Sequence, residues 1–199
     1  MDATETPQAL ASDLAAVARG LRQSTVELRA MERAIGSGII WGGEGLIVTC
    51  AHVLRGGGRA SGAPMVRLAD GRLLRAAVLA CDRRVDLAVV RVDAHDLPAA
   101  SIGDSDRLRA GELVLAVGHP WGLIGAVVTG VVYAASGPEA PTGSPWIRAD
   151  LRLAPGHSGG PMADARGRVV GVNTMIAGGL ALAVPSRVAG ALVERCRAR

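Results

Sequence analysis

The strongest chemical signal in this 199-residue sequence is the glycine-rich segment Pro155-Gly156-His157-Ser158-Gly159-Gly160-Pro161. A nucleophilic serine needs a tight turn that exposes its hydroxyl, and backbone N–H groups that face the oxyanion formed during acyl transfer. Glycines allow such a turn because they adopt positive φ and let a substrate approach closely. The segment predicts Ser158 as a nucleophile, although a plain glycine turn between two strands is the alternative.

Two more residues could complete a catalytic group. His52 ends an apolar run, where an imidazole can be held at the edge of a cleft as a general base. Asp86 opens another strongly apolar run, where a partly buried carboxylate needs a partner. Taken singly, either residue is readily structural, and Asp82, Asp93 and Asp96 compete as acids in more polar surroundings.

The order of the three residues along the chain strengthens the hypothesis. Asp86 follows His52 by 34 residues, and Ser158 follows Asp86 by 72. The order His, Asp, Ser is one of the known triad orders and differs from two others. It places the base and the acid in the first half and the nucleophile in the second, so a cleft between two β-barrels would bring them together.

The elements that must position these residues are mostly strands. Short alternating apolar runs are punctuated by Gly, Asp and Pro, with about six strand candidates on each side of residue 105, which favours an all-β sandwich or barrel. Helical spacing is predicted over 8–22, and a closing helix over 187–197. The predicted division of the chain is 1–23 (helical segment), 24–104 (first β unit), 105–186 (second β unit) and 187–199 (closing helix).

The first helix has an apolar stripe of Leu10, Leu14, Val17 and Leu21. Such a stripe usually packs on its own core. The alternative is that it docks on a neighbouring subunit or partner and regulates the turn around Gly156.

Composition excludes several classes of function. The formal charge is +4 and the pI near 9.7, but aromatic residues make up only 2% and no long basic run occurs, so nucleic acid is not predicted as a partner. No apolar stretch is long enough to span a membrane. No cluster of metal ligands is seen, and we predict no metal and no cofactor.

The cysteines and the N-terminal residues bear on the cellular compartment of the protein. Cys50, Cys81 and Cys196 are too few and too scattered for a disulfide framework. The N-terminal segment is polar and acidic and lacks the pattern of a signal peptide. From these features we predict a cytoplasmic protein.

Several blocks of the sequence together resemble a known family, the HtrA (Deg-type) branch of the chymotrypsin-like serine proteases. The resemblance runs roughly over residues 11–186. The matching blocks are GSGIIW, GLIVTCAHVL, DLAVVRV, IGDSDRLRAGELVLAVGHPWGL, VVTGVV, IRADLRLAPGHSGGPM, GRVVGVNT and LALAVPS.

The resemblance implies two six-stranded antiparallel β-barrels with short terminal helices and a catalytic triad between the barrels. It assigns His52, Asp86 and Ser158 to the triad, and Gly156 and Ser158 to the oxyanion hole. The position between these two donors, usually Asn in the family, is His157 here, and its backbone N–H can contribute as well.

The resemblance also implies how substrate binds. Leu153 and Ile176 would line the primary specificity pocket, which predicts cleavage after small or medium aliphatic residues. The strand Thr174-Met175-Ile176 would pair with the substrate backbone. Arg152 lies nearby and could make the pocket basic, although an arginine that points outward is the simpler interpretation.

The sequence departs from the family in three places. No PDZ domain follows, no targeting segment or anchor is visible, and the N-terminal helix lacks the aromatic residue associated with trimers. We therefore expect a polypeptide substrate and a possible homo-oligomer, with a trimer in doubt. Val53 stands where a disulfide partner beside the catalytic histidine would be.

The predicted function is a serine endopeptidase that works through an acyl-enzyme. A catalytically silent binding module of the same fold is the alternative, and an esterase using the same site is a third class.

Overall fold

The computed structural model describes residues 5–31, 33–55, 63–135 and 146–198. Within them the chain forms two closed antiparallel β-barrels of six strands each, together with three helices. The predicted all-β, two-barrel fold with helices near both ends is confirmed.

The first barrel carries the predicted base and acid. Its strands are β1 (Thr25–Ala30), β2 (Arg33–Gly42), β3 (Leu46–Thr49), β4 (Met65–Arg67), β5 (Leu73–Asp82) and β6 (Leu87–Val92). They pair in the order β1-β2-β3-β6-β5-β4, and β4 closes the ring by pairing with β1.

The second barrel carries the predicted nucleophile. Its strands are β7 (Leu113–Gly118), β8 (Ala126–Ala134), β9 (Ile147–Asp150), β10 (Pro161–Asp164), β11 (Val169–Ala177) and β12 (Leu180–Pro185). They pair in the order β7-β8-β9-β12-β11-β10, and β10 pairs back to β7. The two barrels therefore share one strand order, although the sequence shows no obvious repeat.

The three helices lie outside the barrel walls. They are α1 (Glu5–Ser24), α2 (Ala51–Arg55) and α3 (Ser186–Arg197). In α1, Leu21 is buried, and Leu14 and Val17 pack against the core of the chain's own barrels. The side chain of Leu10 lies outside the described residues. Arg22 of α1 donates from Nε to the carbonyl of Gly125 in the second barrel at 2.7 Å.

One apolar cluster joins the two barrels. It runs from β1, β2, β3 and β6 of the first barrel into β7 and β11 of the second, and α3 covers one side with Ala189, Leu192 and Val193. Close packing of this kind resists relative movement. The cluster thus packs the two barrels against each other.

Candidate active site

His52 and Asp86 meet on the first barrel. His52 lies in α2, directly after β3, and Asp86 stands immediately before β6, which pairs with β3. The His52 Nδ1 atom lies 2.7 Å from Asp86 Oδ2, and the backbone N–H of His52 donates to Asp86 Oδ1 at 2.9 Å. With the proton on Nδ1, the Nε2 atom of His52 is the basic nitrogen.

Thr174 of β11 contributes a third hydrogen bond to this carboxylate, since its hydroxyl donates to Asp86 Oδ2. Sequence reasoning assigned Thr174 to substrate binding and missed this contact. The two residues are 88 positions apart, and no local pattern links them. Only the docking of the second barrel on the first brings them together.

These hydrogen bonds determine the charge of Asp86. Partial burial pushes the pKa of Asp86 up, but the bonds from the His52 ring, the Thr174 hydroxyl and the His52 backbone outweigh it, so that the pKa lies below its usual value. Asp86 therefore stays ionised at neutral pH and can stabilise a protonated imidazole.

Ser158 is linked to the same threonine. Its Oγ atom donates to the carbonyl oxygen of Thr174 at 2.9 Å. A hydroxyl has one proton, so in this rotamer the Ser158 proton is not donated to His52. Thr174 thus bridges the groups through two atoms, its hydroxyl on Asp86 and its carbonyl on Ser158.

The turn before Ser158 has the conformation that its sequence favours. Pro155 and Gly156 occupy the two central positions, Gly156 has φ of +110°, and the N–H of His157 donates to the carbonyl of Ala154 at 3.0 Å. Pro followed by Gly is the preferred pair for a type II turn. A Cβ atom at Gly156 would collide with the backbone of His119 and Pro120.

This geometry corrects one predicted oxyanion donor. The N–H of His157 is already donated to Ala154 and cannot also face an oxyanion. For the N–H groups of Gly156 and Ser158, in contrast, we find no acceptor in the part of the chain that the structure describes.

The first barrel fastens this turn at both ends. The N–H of Ser37 in β2 donates to the carbonyl of Ser158 at 2.8 Å, and the Ser37 hydroxyl donates to the carbonyl of Gly156 at 2.7 Å. The N–H of His119 donates to Ser37 Oγ at 3.0 Å. None of these contacts was predicted, because they join Ser37 to residues 82 or more positions away along the chain.

Two further histidines lie behind the turn, and both are neutral. Burial is the main cause that lowers the pKa of His119 to about 4, with Arg67 and His157 adding to it and Glu27 opposing it. Burial also lowers the pKa of His157, although its contact with the Ala154 backbone opposes this. His157 is only 2% exposed, which removes it as a competing base for Ser158.

The predicted substrate strand has a free edge. β10 pairs with β11 only as far as Val172, and β12 covers the other side of β11 as far as Ala177. Met175 and Ile176 are exposed on the stretch beyond Val172. Leu153 is partly buried against the core of the second barrel, whereas Arg152 is exposed.

The competing acids lie elsewhere. Asp82 accepts from the backbone of Arg84, and Asp93 and Asp96 are exposed. The structure brings Asp86 alone of the four to His52 within the described residues.

Cys50 lies beside His52 and Asp86, and the three together could offer ligands to a metal ion. Its Sγ atom, a ligand nitrogen of His52 and a carboxylate oxygen of Asp86 lie within 4.8 Å of one another. Burial is the main cause that raises the pKa of the Cys50 thiol, and the thiol donates to the carbonyl of Asn173 at 3.2 Å. The Nδ1 atom of His52 and the Oδ2 atom of Asp86 already bond to each other, so in this geometry they satisfy each other.

Two six-stranded barrels, with an imidazole–carboxylate pair on one and a serine in a glycine turn on the other, define the chymotrypsin-like class of serine proteases. Comparison with known families agrees with this class. The chain belongs to the trypsin-like peptidase domain family, whose match covers residues 36–172.

Curated relatives point to the HtrA type within that class. The chain is 39% identical over 171 residues to a protein of Synechocystis sp. named serine protease HhoB, covering 82% of this chain and 40% of that protein. It is 38% identical over 172 residues to a protein of Marinomonas sp. named periplasmic serine endoprotease DegP-like, covering 82% of this chain and 36% of that protein. The chain thus spans well under half the length of these relatives.

Solved structures give the same result. The chain matches the HtrA-type protease AlgW, determined with a decapeptide, with a TM-score of 0.80 and 25% identity over 94% of this chain and 68% of that one. An S227A variant of AlgW with a tripeptide matches with a TM-score of 0.80 and 29% identity, covering 91% and 62%. The resemblance to the HtrA branch that the sequence indicated is confirmed.

The predicted cytoplasmic location is wrong. Several similar relatives are named as periplasmic endoproteases, which contradicts it. Because the chain spans only part of these proteins, its first residues say nothing about export. No helix among the described residues has both the length and the hydropathy needed to cross a membrane.

Proposed function

We propose that this chain is an active serine endopeptidase in which Ser158, His52 and Asp86 form the catalytic triad. The observation that carries the proposal is the hydrogen-bonded set centred on Asp86 and Thr174, which ties the imidazole, the carboxylate and the serine together. The AlgW structures with bound peptides support a polypeptide as substrate.

The first half of the reaction acylates Ser158. The Ser158 hydroxyl turns from the Thr174 carbonyl towards His52, and Oγ attacks the peptide carbonyl carbon while its proton passes to His52 Nε2. The oxyanion is met by the N–H groups of Gly156 and Ser158. When the C–N bond breaks, His52 returns the proton to the leaving amine.

The second half releases the acyl group. Water attacks the ester carbonyl carbon and gives a proton to His52. His52 then passes that proton to Ser158 Oγ as the bond between the acyl carbon and Oγ breaks and the acid leaves. In both halves Asp86 keeps the His52 ring oriented and stabilises its charged form, while remaining ionised itself.

We further propose cleavage after small or medium aliphatic residues. Leu153 offers an aliphatic wall, and the free edge of β11 at Thr174–Ile176 can pair with the substrate backbone. A fitting methyl-bearing side chain gains on the order of 1–3 kcal/mol in such a pocket. A cleavage profile dominated by Lys or Arg would refute this pocket, and one dominated by Asp or Glu would assign Arg152 to it.

The decisive experiment labels the purified protein with a fluorophosphonate and maps the adduct by mass spectrometry. We expect the adduct on Ser158 and no adduct on the Ser158→Ala variant. The protein without this substitution should cleave casein, and the variant should not. A folded protein that takes no label and cleaves nothing would favour the silent binding module. Casein cleavage by Ser158→Ala would overturn the assignment.

A further inference from the structure

An arginine-rich cleft opens beside the oxyanion turn and plays no part in the chemistry described above. It has a volume of about 590 Å³. We call it the arginine cleft. The residues that line it include Glu27, Arg29, Arg33, Arg67, Trp121 and Pro155.

Arginines outnumber carboxylates among the described residues that line the cleft. Glu27 is buried, and one of its oxygens, Oε2, accepts from Arg29 at 3.0 Å and from Arg67 at 2.9 Å. Arg33 also lines the cleft, and Glu27 is the one carboxylate among the described lining residues. The Glu27 carboxylate holds two guanidinium groups in place, and guanidinium is the preferred partner for a further carboxylate.

The cleft is continuous with the oxyanion turn. Across the sheet of the first barrel, Glu27 of β1 is paired with Ser37 of β2 on one side and with Arg67 of β4 on the other. Ser37 in turn holds the carbonyl of Gly156. The row Ser37, Glu27, Arg67 therefore leads away from Gly156 along the first barrel.

The row and the substrate strand lie on opposite flanks of the turn. Gly159 donates to Asn173 of β11, while Gly156 accepts from Ser37 of β2. In the proposed reaction the acyl part of the substrate lies along β11. A peptide is continuous through the bond to be cut, so the residues after that bond run past Gly156 towards the arginine cleft.

We propose that the arginine cleft binds a carboxylate on the leaving-group side of the substrate, and so selects acidic residues shortly after the cleaved bond. The inference rests on the proposed peptidase function and adds a second determinant of specificity to it. The carboxylate could belong to an Asp or Glu side chain or to the C-terminus of a short substrate.

The test uses quenched fluorescent peptides that share one aliphatic acyl side and differ in the four residues after the cleaved bond. Glu, Gln and Lys are placed at each position in turn, and each peptide is made with a free and with an amidated C-terminus. At the best position we expect kcat/KM to be about fivefold higher for Glu than for Gln, and lower again for Lys. Dependence on the free terminus alone would assign the cleft to the C-terminal carboxylate.

Variants separate this cleft from general charge effects. Arg33→Gln changes an exposed side chain and should abolish most of the preference for Glu over Gln. Arg33→Glu should instead favour Lys. Arg67→Gln leaves the buried Glu27 with one partner fewer, so its folding must be checked first. The matched control is Arg72→Gln, an exposed arginine on the same barrel that pairs with Asp70.

Equal cleavage of the Glu, Gln and Lys peptides, with either terminus, would overturn the inference and leave the peptidase function intact. So would a preference for Glu that survives both Arg33→Gln and Arg67→Gln. Failure to cleave any peptide would instead overturn the proposed function, and the inference with it.

Discussion

The proposed base and the proposed nucleophile come from equivalent connections of two barrels that share one strand order. His52 lies in the connection between β3 and β4, and Ser158 lies in the connection between β9 and β10, the third and fourth strands of their barrels. The first connection begins with the helix α2, whereas the second forms consecutive glycine turns. The same place in the topology is thus used in two different ways.

The difference follows from what each connection must present. His52 acts through its side chain, and a short helix of Ala, Val, Leu and Arg holds one side chain firmly. The connection at Ser158 must also present backbone N–H groups, and a helix would engage them in its own hydrogen bonds. Pro155 and the glycines around Ser158 prevent a helix and leave those donors available.

The largest effect tests the first connection, where a side-chain carboxylate orients the base. We expect Asp86→Asn to lower kcat by about 10³- to 10⁴-fold, because the amide favours the wrong imidazole tautomer. Asn suits this position, since Asp86 has φ of +55° and Asn tolerates that conformation. Steady-state kinetics on a peptide substrate measure the loss, and Asp82→Asn serves as control. If Asp86→Asn were fully active and Asp82→Asn inactive, Asp86 would not be the carboxylate that orients His52.

The next effect tests the second connection, where backbone donors matter. A methyl group at Gly156 strains a φ of +110° and displaces the turn from His119. We expect Gly156→Ala to lower kcat by about 10²- to 10³-fold, the usual cost of losing an oxyanion donor, with a smaller change in KM. Gly111→Ala is the matched control, because Gly111 also has positive φ but open space around it. Equal losses in both variants would mean that backbone strain alone is responsible.

A smaller effect tests how the first barrel supports the second connection. Ser37→Ala removes the hydroxyl that holds Gly156, and we expect kcat to fall about tenfold, as for one lost buried hydrogen bond. Ser186→Ala is the control, since that hydroxyl is equally buried and donates to the carbonyl of Gly103, also at 2.7 Å. The two variants should lose similar stability in urea. Comparable kcat values for them would contradict a positioning role for Ser37.

We expect the smallest effect on turnover at His119. This residue mainly affects the free energy of unfolding. Its pKa is about 4 in the folded chain against 6.5 ordinarily. Below pH 6.5 His119 is therefore protonated in the unfolded chain, whereas in the folded chain it becomes protonated only near pH 4. The free energy of unfolding falls as the pH drops through this window. We expect a loss of about 2 kcal/mol between pH 7 and pH 5 from this group.

Urea unfolding at the two pH values measures this dependence. His119→Asn keeps a polar side chain that does not titrate, and it should remove the part of the pH dependence that His119 causes. His157, whose pKa is also lowered by burial, contributes in the same direction and remains in the variant. An unchanged dependence in the variant would show that other groups cause it.

The sequence was sufficient for residues that sit in local patterns. The alternation of apolar residues predicted the strands, and the glycine turn around Ser158 and the Asp86 position were both visible as motifs. Contacts made across the barrels were not predictable, because Thr174 on Asp86 and Ser37 on Gly156 join residues 88 and 119 positions apart. The use of the His157 N–H within its own turn also escaped notice, since it depends on backbone angles.

The bond from Arg22 to Gly125 has a consequence for synthesis on the ribosome. It joins residues 103 positions apart and ties α1, which is made before both barrels, to the second barrel. At translation rates of about 5–20 residues per second, Gly125 is added roughly 5–20 seconds after Arg22. Until then α1 has no anchor on the second barrel, and Ser158 is made later still. If the proposed function is correct, a nascent chain therefore cannot cut its neighbours before both barrels have emerged.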